Sequence, residues 1–424
     1  LAGKAIMNIP IDEPDIYPRE ERVSAFSGFS FTEMAYFFVM FYSVLGAPLG
    51  LTVGNIGVGI LMLFVLAVWF AEAGGSLASV VGQTSLALAC GVSYLLIQTI
   101  IHDESSSQLY VRNFGMWIPS LIVVQWLVGR EQFLNRFAFL TIALGFAMIP
   151  YMNTYAGGAY QRFGLDSTVG FANPNDLGCW YGFCALYLTL AGFSAKAAGA
   201  RIFYWILGLA CLYLVTLTLS RSPLIAMAGA LLVASRHLFK EGFLLLLLLA
   251  GLVYGAIQLG VFDTALQAYG LRASEETGRL RIWPILIEAF LSSPLLGVGV
   301  SHTGAFVPGG RFITPHNGFL LIGVSSGIVP LAFFIGHWLK AAKAALHATV
   351  NNWPGSEFQL PLLAYAFLVT TSGNQSFMAP WAIVCLALPL WPHSPGESVI
   401  EQRSEGATYF TQDPPFLVED SKNV

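Results

Sequence analysis

Residues 202 to 223 read IFYWILGLACLYLVTLTLSRSP: nineteen positions from Ile202 to Ser220 without a charged side chain, then Arg221, Ser222 and Pro223. At 1.5 Å per residue such a run makes a helix of about 28 Å, close to the ~30 Å thickness of a bilayer's hydrocarbon core. The stretch therefore reads as a membrane span that ends on an arginine. The rest of the chain agrees, because 56% of the 424 residues are hydrophobic and only 10% are charged, whereas soluble domains carry roughly 25% charge.

The same ruler predicts spans near 31–48, 55–72, 84–101, 114–128, 132–152, 176–194, 202–220, 222–236, 243–260, 317–340, 357–373 and 377–392. The expected fold class is an all-α polytopic membrane protein of about twelve transmembrane helices, with a long outer loop containing short interfacial helices. Residues 1–30 are expected to form a cytoplasmic N-terminal segment and 31–392 the transmembrane domain, with its outer loop at about 261–316. Residues 393–424 are expected to be a disordered cytoplasmic tail. No basic-then-apolar leader is legible, so no secretory signal is expected. Cys90, Cys179, Cys184, Cys211 and Cys385 fall inside apolar runs without paired spacing and read as small core residues.

Basic residues set the orientation. With both termini cytoplasmic, all six lysines lie inside together with Arg19, Arg22, Arg130, Arg136, Arg201, Arg236 and Arg403, thirteen of the twenty basic residues. The seven left outside, Arg112, Arg162, Arg221, Arg272, Arg279, Arg281 and Arg311, are all arginines. Arginine's planar fork matches phosphate oxygens better than the lysine ammonium does, so a phosphate-gripping outer surface is expected. The competing reading is that these side chains snorkel to headgroups or pair with Asp263, Glu275 and Glu276.

Three helix starts face that surface. Asn173-Pro174-Asn175, Ser220-Arg221-Ser222-Pro223 and Thr314-Pro315-His316-Asn317 each offer a capping residue followed by proline, which predicts helices starting at all three. Their amides and dipoles suit an anion. In the outer loop, the stretch from Gly278 to Leu291 turns apolar after Pro284 and predicts an interfacial helix, with Arg279 and Arg281 at its polar start and Trp283 at headgroup depth. That helix should stop at Ser293-Pro294 and the Gly297-Val298-Gly299 turn.

Five stretches in this order carry a family resemblance: Gly170-Phe171-Ala172-Asn173-Pro174-Asn175-Asp176-Leu177; Leu217-Thr218-Leu219-Ser220-Arg221-Ser222; Gly278-Arg279 with Trp283; Ser293-Pro294-Leu295-Leu296-Gly297-Val298-Gly299; and His316-Asn317 with Gly327 ten residues on. Over about residues 150 to 340 the chain resembles the bacterial O-antigen ligase and O-antigen polymerase superfamily, multispan glycosyltransferases that act on polyprenyl-diphosphate-linked glycans. The ligase pattern carries glycine, threonine or tyrosine three residues past the last glycine. Here that position is Pro330, which tilts the expected acceptor toward a polymerase's.

The resemblance implies an inverting, metal-independent transfer without a cofactor, in the bacterial inner membrane with the site facing the periplasm. The implied partners are a polyprenyl-diphosphate-linked glycan donor, a glycan or lipid A core acceptor, and membrane lipids, but no nucleic acid. Mapped onto this chain, His316 is the base and Arg221 and Arg279 hold the diphosphate, with Arg281 able to stand in for Arg279. Arg162, Arg311, Asn173, Asn175 and Asn317 are expected to contact substrate. A free imidazole titrates near about 6.5, and the positive end of a helix favours its neutral form, as a base requires. Rival readings are a protein O-oligosaccharyltransferase, a twelve-span transporter, which should carry mid-membrane charges and repeats, and a scaffold, which leaves the arginines and histidine unexplained.

Overall fold

The computed structural model describes residues 28–391, leaving aside 47, 52–53, 74–76, 104–107, 157–160, 166–172, 261–262, 264–266, 268, 271–278, 308–310, 354 and 374–375. Within helices and strands, the side chains of 54–57, 108–112, 155–156, 161, 236–250, 252–253, 256–257, 279–281, 305–307 and 311–313 are also outside the description. The expected tail at 393–424 and nearly all of the expected N-terminal segment therefore lie outside the described residues, as do Arg272, Glu275 and Glu276.

Thirteen helices make up most of the described chain: α1 (Phe31–Leu45), α2 (Gly54–Ala73), α3 (Leu77–Leu96), α4 (Gln108–Leu127), α5 (Phe133–Ala147), α6 (Pro174–Ser194), α7 (Ala198–Leu217), α8 (Arg221–Gln258), α9 (Arg279–Ser292), α10 (Gly318–Ser326), α11 (Ile328–Val350), α12 (Ser356–Thr370) and α13 (Pro380–Ala387). Four helical stretches, Leu77–Ile101, Phe133–Tyr151, Pro174–Ser194 and Ala198–Leu217, are long and apolar enough to cross a bilayer by themselves. The quoted run from Ile202 thus forms the spanning helix it predicts. Helix α6 is central: every side chain from Leu177 to Leu190 is buried, as expected for a helix without a polar face. All five cysteines are buried and free. An aromatic cluster ties α4, α11 and the chain before α13, with Phe377 lying 5.4 Å from Trp117 and 4.8 Å from Phe334 between ring centroids.

Three expected spans take other forms. The spans at 222–236 and 243–260 are one uninterrupted helix, α8. The stretch between them, Arg236 to Gly242, contains no proline and only Gly242 as a strongly disfavoured helix residue, so nothing terminates the helix. The span at 317–340 is broken at Gly327 into α10 and α11. Nine residues of α10 reach only about 14 Å and cannot cross a membrane, so a count of twelve spans does not follow. The described chain is predominantly helical, as expected, with two short antiparallel hairpins in connecting segments, β1 (Met152–Ala156) with β2 (Gln161–Leu165), and β3 (Ala305–Val307) with β4 (Arg311–Ile313).

Helix α8 cannot be straight. Its 38 residues would extend about 57 Å. Yet Tyr269, eleven residues beyond its end, donates its hydroxyl to the Ser220 carbonyl just before its start, at 3.1 Å. Eleven residues reach at most about 40 Å when fully extended, so α8 must bend to bring the chain back. The outer loop thereby returns to the mouth of α8, the relation that two separate spans were expected to provide.

A buried ion pair joins α1 to α5. Arg136 donates to Glu33 through Nε at 2.5 Å and Nη2 at 2.7 Å, with 6% and 0% of the two side chains exposed. The Arg136 guanidinium also lies over the Phe29 ring at 4.8 Å. Beside it, Glu72 of α2 accepts the amides of Phe31 and Thr32 and the Thr32 hydroxyl, closing the start of α1. Leaving one buried charge alone is costly, so Arg136→Leu should lose about 3–5 kcal/mol in detergent unfolding, and Glu33→Leu in the same chain should recover most of it.

Candidate functional site

The expected helix starts converge, though only the first has the expected form. Asn173 caps α6, its Oδ1 accepting the Asn175 amide at 2.9 Å, and Pro174 takes the first helical position. Helix α8 instead begins at Arg221 with Pro223 inside its first turn, after Leu219 with φ +49°. In the third case the cap is Asn317, whose Oδ1 accepts the Leu320 amide at 3.0 Å, so Thr314, Pro315 and His316 lie outside α10. His316 itself has φ +50°, a conformation a residue with a Cβ adopts reluctantly. The turn, not the helix, aims the imidazole.

The start of α8 is held from two sides. Arg162, paired with Tyr155 across the first hairpin, donates Nε to the Thr218 carbonyl at 3.0 Å and Nη2 to Asn175 Oδ1 at 2.9 Å. The same Asn175 oxygen accepts the Ser220 hydroxyl at 2.8 Å, filling both its lone pairs. A Cβ at Gly178 would meet Ser220 at 2.9 Å, so α6 must present glycine there. Arg162, Asn173 and Asn175 therefore build the turn that delivers Arg221.

The C-terminal end of α12 and the residues just after it lie against both the start of α8 and the start of α10. The Ser222 hydroxyl bonds that of Ser372, one of them donating. Gly318, the first residue of α10, fits so tightly that a Cβ would stand 3.0 Å from both Thr370 and Phe377. Helix α12 is in turn tied to α6 by the Tyr365 hydroxyl, which donates to the Cys179 carbonyl at 2.7 Å. Thus the N-termini of α6, α8 and α10 border one region, with the positive ends of three helix dipoles close together.

This region is recessed. Phe319, next to the start of α10, packs on Phe334 at 5.0 Å and Trp338 at 6.1 Å. Helix α10 therefore doubles back along α11, and its start lies about 10–15 Å along α11 from the break at Gly327. His316 stands beside the middle of the bundle and not at its rim.

Helix α9 stops at Ser292 as the sequence predicts, and the Ser293–Gly299 turn docks on the break. The amides of Val298 and Gly299 donate to the carbonyls of Val324 and Ser325 at 2.8 and 3.1 Å, and that of Ile328 to Pro294 at 2.8 Å. Gln98, wholly buried on the π-helical turn Ile97–Ile101, completes the joint. Its Nε2 donates to the Ser325 carbonyl and the Ser326 hydroxyl, both at 2.8 Å, and its Oε1 accepts the Val300 amide at 3.0 Å. At the other end of α9, Trp283 donates Nε1 to the Pro315 carbonyl at 2.9 Å, an internal bond where a headgroup contact was expected.

Arg279 and Arg281 open α9, and Arg311 lies on β4, which leads to Thr314; the side chains of all three are outside the described residues. Sequence reading missed Gln98, Tyr269 and Ser372. A lone amide in the run from Leu95 to Ile101 was a signal for Gln98, since a polar group in an apolar span needs a partner. Ser372 and Tyr269 had no comparable mark. Among the described residues, no group of three histidines, cysteines or carboxylates could hold a metal ion.

A helical bundle with helices long and apolar enough to cross a bilayer, and with the starts of α6, α8 and α10 gathered around the end of α12, fits an integral membrane protein. Residues 206–335 match the family model described as O-antigen ligase, a stretch running from within α7 to the start of α11 that includes Arg221, Arg279, Trp283, His316 and Gly327. The resemblance to the O-antigen ligase and polymerase superfamily holds over that stretch and supports a membrane glycosyltransferase of this type. No curated protein matches the chain.

Gln98→Leu would leave the Val300 amide and the Ser326 hydroxyl buried without their partner, at about 1–3 kcal/mol for each group. The expected outcome is lowered stability and faster proteolysis at the 293–300 turn, measured against Gln258→Leu as an exposed control.

Proposed function

We propose that the protein transfers a glycan from a polyprenyl-diphosphate donor to a sugar hydroxyl on the periplasmic side of the inner membrane, as a surface-polysaccharide polymerase. The observation that carries this reading is the convergence of the Arg221 and His316 turns on the last turn of α12, where three helix N-termini meet.

The acceptor oxygen attacks the anomeric carbon as the bond from that carbon to the diphosphate oxygen breaks, and the leaving polyprenyl diphosphate keeps the electron pair. Attack from the face opposite the leaving group inverts the centre. The acceptor's proton passes to His316, which must be neutral to receive it. Arg221 and Arg279 take up the charge growing on the diphosphate, with Arg281 and Arg311 nearby on the same outer segments and the amides at the starts of α8 and α10 adding to them. Asn317, spent on the cap, holds the turn that carries the base.

A second reading, ligation to lipid A core, is favoured by the description of the matched family. Pro330, which tilts the sequence reading away from it, is also explained by position alone: it sits in the first turn of α11, where a missing amide hydrogen costs nothing. Mass spectrometry of products formed from one lipid-linked donor, with each acceptor offered separately, decides between the two.

His316→Ala should lower transfer by about 10²–10⁴-fold with the protein still folded; wild-type activity in that variant removes the base. Arg221→Lys keeps charge but loses the fork, and the expected result is a loss of about tenfold or more. The sign for pH follows from the neutral base: kcat/KM should fall as pH drops through the range of an imidazole, about 6.5, because the charged ring cannot accept the proton. Chelation of divalent metal should leave the rate unchanged.

A further inference from the structure

Two elements that bring chemistry to the recess arrive from opposite ends of the outer segment: α9, which opens with Arg279, and the turn that holds His316. One side chain crosses between them. Trp283 lies one helical turn after Arg279, on the same face of α9. Its indole N–H donates to the carbonyl of Pro315 at 2.9 Å. That carbonyl belongs to the peptide unit leading into His316, whose φ of +50° is a strained choice that the surroundings must impose. The ring is half-buried against Ile282, Leu286 and Val324, so it has little freedom to follow a moving partner. At the far end the Val298 and Gly299 amides bond the carbonyls of Val324 and Ser325, so α9 and α10 are fastened at both ends.

We propose that Trp283 is a positioning residue for the transfer: its N–H holds the Pro315–His316 peptide in the orientation that keeps His316 left-handed, and so fixes the base relative to the arginine turn of α9. Remove the N–H, and the turn relaxes toward the ordinary backbone regions and carries the imidazole off its line to the acceptor hydroxyl. Misplacement of a reacting group by about 1 Å costs about a hundredfold in rate.

Trp283→Phe removes the N–H and keeps an aromatic ring. With purified protein, lipid-linked donor and acceptor, the expected result is a kcat lowered about ten- to a hundredfold, a donor KM within about twofold of wild type, an unchanged unfolding temperature and a displaced acid limb of the pH–rate profile. Trp283→His retains a ring N–H and should recover part of the rate; if the Phe variant is unstable, this variant carries the test. Because the proposal rests on the glycosyl-transfer reading, a second readout needs no activity. In ¹⁵N-histidine-labelled protein, Trp283→Phe should shift the His316 ring signals, assigned with His316→Gln, and leave the other six histidines in place. Wild-type kcat with an unshifted His316 signal overturns the proposal. So does a raised donor KM at unchanged kcat, which would make the indole a substrate contact. A shifted signal in a protein that transfers no glycan keeps the coupling and removes the transfer reading.

Discussion

Two backbones pass at Gly327 so closely that a side chain on either would not fit, and the rest of the site depends on that approach. A Cβ at Gly327 would strike the Leu295 carbonyl, and one at Gly297 the Ser325 carbonyl. Both glycines have positive φ, 81° and 71°, so shape and conformation make the same demand. The contact reverses the chain between α10 and α11 and lays α10 along the bundle. It thereby puts Asn317 and His316 at a depth that a straight span could not reach. Gln98 satisfies the polar groups that such a break exposes in an apolar setting, where an unmatched amide is expensive.

The candidate site is assembled from elements that are individually ordinary. Helix starts with caps are common, and Asn173 and Asn317 do what asparagines do at such positions. What differs is that α6, α8 and α10 share one region, while Arg162 ties a carbonyl and an amide oxygen of the framework together. The fork that suits phosphate suits a backbone turn equally well.

Much of this was legible in the sequence, for reasons particular to each element. The run from Ile202, the cap at Asn173 and the stop of α9 at Ser293-Pro294 are local signals, set by hydropathy, capping and proline. Local signals misled where a distant contact overruled them. Pro315 looked like a helix start, but the tryptophan bond and the left-handed His316 push the start to Gly318. The charges after Arg236 looked like a loop, yet helix-forming residues carry α8 through them. The hairpin strands are too short to announce themselves, and the use of Gln98 depends on partners more than two hundred residues away. The side chains of Arg279, Arg281 and Arg311, three of the seven arginines that the sequence reading assigns to the outer side, lie outside the described residues.

The pair between Glu33 and Arg136 has a consequence for biogenesis. The two residues are 103 positions apart in the chain. At a synthesis rate of about 5–20 residues per second, the glutamate leaves the ribosome about 5–20 s before its partner. Until α5 follows, the carboxyl that ends up wholly buried on α1 lacks the guanidinium that balances it, so α1 becomes a settled part of the bundle only when Arg136 arrives. A chain stalled between the two would hold an acid whose counter-charge has not yet been made.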